Sequence, residues 1–139
     1  MRVLSLYTPD PNTPAGPPSA QHMSEMGKYN AELIKSGVLV DGAGLQASAK
    51  GARVRFSGKK RIVIDGPFTE TKELLAGYWT IQVKSLQDAI EWARRCPHPH
   101  PGEDAEIELR QVFETEDFPN APAEVVAQEA KFRKDRAKR

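Results

Sequence analysis

The eight residues Asp65-Gly66-Pro67-Phe68-Thr69-Glu70-Thr71-Lys72 place two carboxylates, an ammonium and two hydroxyls on one short loop between apolar stretches. Asp followed by Gly and Pro makes a turn of fixed shape, because the carboxylate bonds backbone ahead of it while Gly and Pro restrict the path. Charged groups on such a turn can be aimed. Asp65 is the candidate general acid or base, since burial against an apolar wall raises a carboxyl pKa toward the neutral range where proton transfer works best. An Asp that merely bonds its own turn accounts for the same residue. A turn alone does not require Glu70 and Lys72, which either pair as surface ions worth roughly 0 to 1 kcal/mol or join Phe68 in holding a substrate.

His22, four residues before Met26, is a second candidate for proton exchange near neutral pH; the competing reading is a partly exposed residue at a helix start. Asn30 falls on the apolar stripe of the same helix, where a buried amide must find hydrogen-bond partners. Together with Tyr29 it either lines a pocket or ties the helix to the Asp65 loop. Elimination or isomerisation suits this set. A base removes a proton beside an activated group, and Lys72, Tyr29 or Asn30 steadies the charge that develops. Nothing in the sequence calls for a cofactor. Cys96-Pro97-His98-Pro99-His100 invites a metal reading, but alternating prolines impose an extended path with three residues per turn, so its ligands diverge. It reads as a rigid linker, and no metal site is expected. Gly42-Ala43-Gly44 lacks the remaining glycine of a dinucleotide fingerprint and follows the wrong element order.

The elements that must position these residues follow from periodicity. Arg2 to Tyr7 has strand character, and the prolines between Thr8 and Pro18 demand an extended loop. From a cap at Ser19, the residues His22, Met23, Met26, Asn30, Leu33 and Ile34 recur at helical spacing, and Gly37 ends the helix. Val38 to Val40 resumes strand character, with Gly42 and Gly44 as a flexible exit. Arg53 to Phe56 and Arg61 to Ile64 flank Ser57-Gly58-Lys59-Lys60 as a hairpin. Gly77 to Val83 is a strand with Trp79, Ile81 and Val83 on one face and Tyr78, Thr80 and Gln82 on the other. Ser85 and Asp88 resemble a capping box for a helix with Leu86, Ala89, Ile90 and Ala93 inward, and Ile107, Leu109 and Phe113 mark a last strand.

Strand, helix, strand, hairpin, strand, helix, strand is the order of an α+β, ferredoxin-like split βαβ sandwich with an inserted hairpin. Two helices cover one face of its sheet. The other face is expected to be hidden by a second copy in a closed two-fold homodimer. Residues 1–113 form the domain, and 114–139 an extension with a helix from Ala123. The basic end of that helix complements its dipole and reads as a solvated terminus folding across the neighbouring subunit.

At 139 residues the chain fits one domain. With 20 Lys and Arg against 19 Asp and Glu, the net charge of +1 gives no field to hold nucleic acid or an anionic membrane. Cys96 stands alone, no apolar run is long enough to span a bilayer, and Met1 leads straight into strand-like residues. A cytoplasmic setting is expected.

With strand, loop and helix in order, the chain resembles the YCII-related family, specifically the branch named for its DGPF motif. The likeness runs from Met1 to about Phe113. It rests on Lys28-Tyr29-Asn30-Ala31-Glu32-Leu33, Gly37-Val38-Leu39-Val40, Ile64 through Glu73, and Ala89-Ile90-Glu91-Trp92-Ala93. The resemblance implies a dimeric α+β barrel, the fold shared by muconolactone isomerase and several small monooxygenases. It also implies one of two functions. One relative removes hydrogen chloride from a chlorinated aromatic breakdown product, whereas DGPF domains beside sigma-factor-like regulators suggest a non-catalytic ligand-binding or regulatory module. Another branch pairs a His early in the first helix with an Asp late in the second. Here Met26 and Arg95 stand at those places, so that dyad does not carry over.

Overall fold

The structure, a computed structural model, describes residues 1–10, 18–68, 74–97 and 104–138. Along them run β1 (Arg2–Thr8), α1 (Ala20–Lys35), β2 (Leu39–Gly44), β3 (Ala52–Ser57), β4 (Lys60–Asp65), β5 (Gly77–Gln82), α2 (Leu86–Arg94), β6 (Glu106–Gln111) and α3 (Ala123–Ala137). Short 3-10 turns lie at Ser48–Lys50 and Thr115–Asp117. The main sheet has the order β2-β5-β1-β6 with every neighbouring pair antiparallel, and β3 pairs with β4 as a separate two-stranded sheet. β1 and β2 therefore run parallel with β5 between them, the split βαβ pattern that the element order requires.

Local chemistry sets the boundaries. The Ser19 hydroxyl accepts the His22 N–H at 3.1 Å and caps α1. Gly37, at φ +71°, reverses the chain so that the Val38 N–H reaches the Leu33 carbonyl at 3.0 Å. Gly58 supplies the positive φ of the hairpin turn, and the Ser85 hydroxyl caps α2 by accepting the Asp88 N–H at 3.1 Å.

The core lies between the sheet and the first two helices. Val3 faces Ile81, and Ser5 faces Trp79 and Leu109, on the side that meets Tyr29 and Leu33 of α1 and Ala89 of α2. The buried line of α1 differs from the stripe read in the sequence. Tyr29 and Leu33 are buried and His22, Met26 and Asn30 half-buried, while Met23 and Ile34 are 59% and 64% exposed. Each of those two follows a residue of the inner line, His22 or Leu33, by one position. That is about 100° of helical turn, which swings both out of reach of the sheet. Leu86 is likewise exposed, and Trp92 takes the inward place on α2. Phe113 lies beyond β6, exposed and stacked against Phe118 with ring centroids 4.7 Å apart.

Gly42 and Gly44, expected to form a flexible exit, belong to β2 and pair with Trp79 and Gly77 of β5. A Cβ on Gly42 would sit 3.2 Å from the Trp79 ring and 3.1 Å from the Tyr78 carbonyl oxygen, so glycine is what lets the two strands close. The second sheet face, carrying Leu4, Leu6, Tyr78 and Thr80, is not bare in one copy. Arg133 of α3 reaches Glu114 at 2.9 Å, and Arg136 approaches Asp41 of β2 at 3.9 Å, tying the third helix to the two edges of the sheet. α3 has no buried residue, so it is held loosely.

Candidate functional site

The antiparallel run of α1 over β1 and β2 brings its first turns above the ends of those strands, where Tyr7, Gly44 and Gly77 lie on the helix-facing side. Gly42, Gly44 and Gly77 lie together here on β2 and β5. A Cβ on Gly44 would meet the Ala76 carbonyl oxygen at 4.0 Å, whereas one on Gly77 would sit 3.0 Å from the Ala43 carbonyl oxygen and one on Gly42 3.2 Å from the Trp79 ring. His22, Met26 and Asn30 stand on the inner side of α1, and Tyr7 and Trp79 rise from the strands. The loop leaving the hairpin enters β5 at the same end, held by the Ala76 N–H to the Tyr7 carbonyl at 2.9 Å and the Leu45 N–H to the Ala76 carbonyl at 2.8 Å.

Asn30 accepts the Trp79 indole N–H at 2.8 Å, and the Tyr29 hydroxyl donates to the Trp92 carbonyl at 2.8 Å. The Tyr29 ring meets Trp79 edge-on at 5.8 Å, and Tyr7 meets the same indole at 6.5 Å. These bonds tie α1 to the tryptophans of β5 and α2; residues 69–72 of the Asp65 loop lie outside the described residues. Burial pushes the Tyr29 phenol well above its ordinary range, so it stays protonated and serves as a donor. The signal for this knot was present in the sequence. An inward Trp79 needs an acceptor for its N–H, and Asn30 is the polar residue on the facing stripe.

Asp65 ends β4 on the exposed face of the hairpin, beside Val63 and Val54. Among the described residues Asp65 is exposed. The turn it opens is docked through its neighbours. The Gly66–Pro67 bond is cis, the Gly66 N–H donates to the Gly51 carbonyl at 3.0 Å, and the Phe68 N–H donates to the Ser48 hydroxyl at 3.3 Å. Arg53 covers the Phe68 ring at 4.0 Å, leaving that ring half-buried beneath a guanidinium. Glu70 and Lys72 lie outside the described residues, as do His98 and His100. Among the described residues no group of three His, Cys, Asp or Glu could hold a metal ion. Burial pushes the Cys96 thiol up to about 11, which keeps it protonated and weakly nucleophilic.

A cluster the sequence did not suggest joins the far ends of the domain. Arg2 clasps Glu114 with Nε at 2.7 Å and Nη2 at 3.0 Å, and Arg133 adds its bond to the same carboxylate. Hydrogen bonding by Arg2, reinforced by the charge of Arg133, holds Glu114 below the usual carboxylate range. With 112 positions between Arg2 and Glu114, no local pattern announces the pair.

Comparison with known proteins places this architecture. A family model described as the YCII-related domain matches residues 1–116. An uncharacterized protein of Rhizobium meliloti (strain 1021) is 34% identical over 79 residues, which are 57% of this chain and 64% of that relative. The chain thus spans somewhat under two thirds of the relative's length. No helix among the described residues is long and apolar enough to cross a membrane.

Proposed function

The chain belongs to the YCII-related domain family, and from that premise we propose that it is a homodimeric small-molecule enzyme whose site is the helix-covered end of the sheet. The observation that carries this reading is the open position at Gly44, on the side of the sheet that faces His22, Met26 and Asn30. Gly42 and Gly77 are accounted for by the close approach of β2 and β5, which leaves Gly44 as the place where a ligand could approach. Aromatic rings at Tyr7 and Trp79 offer an apolar wall, and the imidazole of His22 is the proton-exchanging group we assign to this end. Elimination or isomerisation of a small organic molecule is the chemistry these groups support, with His22 and Asp65 as the proton-transferring pair. Residues 114–139 act as an appended helix, and pairing of two copies covers the exposed Asp65.

The exposure of Asp65 on a docked turn favours a second reading, a ligand-binding or regulatory module that does no chemistry. Turnover of chlorinated and lactone products of aromatic ring cleavage separates the two. The enzyme reading expects conversion by the wild type and a loss of about 10²-fold or more in Asp65→Asn or His22→Gln, the scale of general acid–base catalysis. Ligand-dependent stabilisation with no conversion supports the module instead. If Asp65→Asn matches the wild type in turnover, Asp65 is not the base.

A further inference from the structure

The β3–β4 hairpin is an anomaly in one copy. Two-stranded hairpins are marginal in water without a surface to pack on, yet beyond the Ser48–Lys50 turn at its base no element among the described residues packs extensively on this one. Its register places Val54 opposite Val63 and Phe56 opposite Arg61 on one face, and Phe56 and Val63 are 66% and 65% exposed. Elsewhere an open groove of about 490 Å³ runs between the segment after β6 and α3, with Phe113, Phe118, Val125, Glu114 and Glu129 among its lining residues. Its Phe113 and Phe118 are 68% and 50% exposed. Apolar patches of this kind on a monomer mark interfaces.

Charge says which surface meets which. From Ala52 to Asp65, five basic residues (Arg53, Arg55, Lys59, Lys60, Arg61) outweigh Asp65 for a net of +4. Beside the groove, Glu114, Glu116 and Asp117 together with Glu129 of α3 outweigh Arg133 for a net of −3. The chain as a whole carries only +1, so these two surfaces are opposite poles of a nearly neutral molecule. We infer that the hairpin of one copy docks its Phe56 tip into the Phe113–Phe118–Val125 groove of a second copy, with Lys59 and Arg61 against Glu116 and Glu129. Two-fold symmetry makes the exchange reciprocal, so each association buries both hairpins and both grooves. This rests on the homodimer reading above and adds to it the arm and its receptor.

Charge reversal tests the docking without touching the core. Lys59→Glu/Arg61→Glu makes the hairpin tip repel the groove, and Glu116→Lys/Glu129→Lys makes the groove repel the tip. Analytical ultracentrifugation is expected to show each variant dissociating at concentrations at least tenfold above the wild type, with unchanged far-ultraviolet circular dichroism. An equimolar mixture is expected to regain association as a heterodimer, because both contacts in that pair are again between opposite charges. Phe56→Ser, probing the apolar half, is expected to weaken association with no rescue by mixing. If the wild type is a dimer and none of the variants shifts its dissociation, the docking is wrong while pairing by another surface stands. A monomeric wild type overturns both. Binding of a fluorescent DNA duplex that is lost in Lys59→Glu/Arg61→Glu, with association intact, assigns the basic hairpin to nucleic acid and overturns the docking as well.

Discussion

The bond from Trp79 to Asn30 decides how the first helix sits on the sheet. Trp79 is buried among Tyr7, Tyr29 and Ile81, and its indole N–H has Asn30 as acceptor at 2.8 Å. Replacing Asn30 by Ala removes the acceptor while the donor stays out of water, and a buried unsatisfied group costs about 1 to 3 kcal/mol. Urea unfolding of Asn30→Ala is expected to show a loss in that range. Tyr29→Phe removes a donor and leaves the Trp92 carbonyl, a milder change expected to cost about 1 kcal/mol. Equal stabilities for Asn30→Ala and the wild type would mean the amide contributes nothing to the helix–sheet contact. His22 and Asp65 need a different measurement, because their proposed roles concern protons rather than packing. Loss of turnover with unchanged unfolding midpoints is the result that separates those roles from the role of Asn30.

Among the elements, the strands and helices were legible because their signals are local. Ser19, Gly37, Gly58 and Ser85 each act within a few residues of the boundary they set. The side each helix buries was less legible, since Met23 and Ile34 are as apolar as Met26 and Leu33, and only the position of the sheet tells them apart. Gly42 and Gly44 misled for a related reason: glycine signals a loop until a partner strand requires close approach. The described part of the Asp65 turn, residues 65–68, is held by neighbours distant in sequence. A Cβ on Gly66 would run into the carbonyl oxygen of Ser48, and Phe68 is held by the Ser48 hydroxyl and by Arg53. Gly66→Ala is therefore expected to undock the base of the hairpin from the Ser48–Lys50 turn. Amide exchange should rise across β3 and β4 while β1, β5 and β6 keep their protection, because the hairpin forms its own sheet. Uniform protection in both sheets would show that the Ser48 carbonyl yields to the added methyl at little cost.

At the scale of the whole molecule, the third helix depends on charge. α3 buries no residue, and a helix of 15 residues is marginal alone in water, so its ion pairs to Glu114 and Asp41 must hold it on the sheet. Glu114 has the larger part, since Arg2 fixes the carboxylate with two bonds and Arg133 of the helix takes the third. Its folded-state pKa is lowered, first by hydrogen bonding with Arg2. The carboxylate stabilises the docked helix fully above the unfolded value of about 4.3, and that contribution fades as pH falls through the lower folded value. Acid is therefore expected to release α3 before the core opens. Backbone amide shifts over 123–137 should move toward random-coil positions in acid while those of β1 and β5 stay put. Glu114→Gln should show the released shifts already at neutral pH, and high salt should shift the wild type in the same direction, because screening weakens the partly exposed pairs. A wild-type α3 that keeps its shifts in acid and in salt would show that Val125, Val126 and Phe132 hold it through apolar contact, which for exposed residues requires a second copy of the chain.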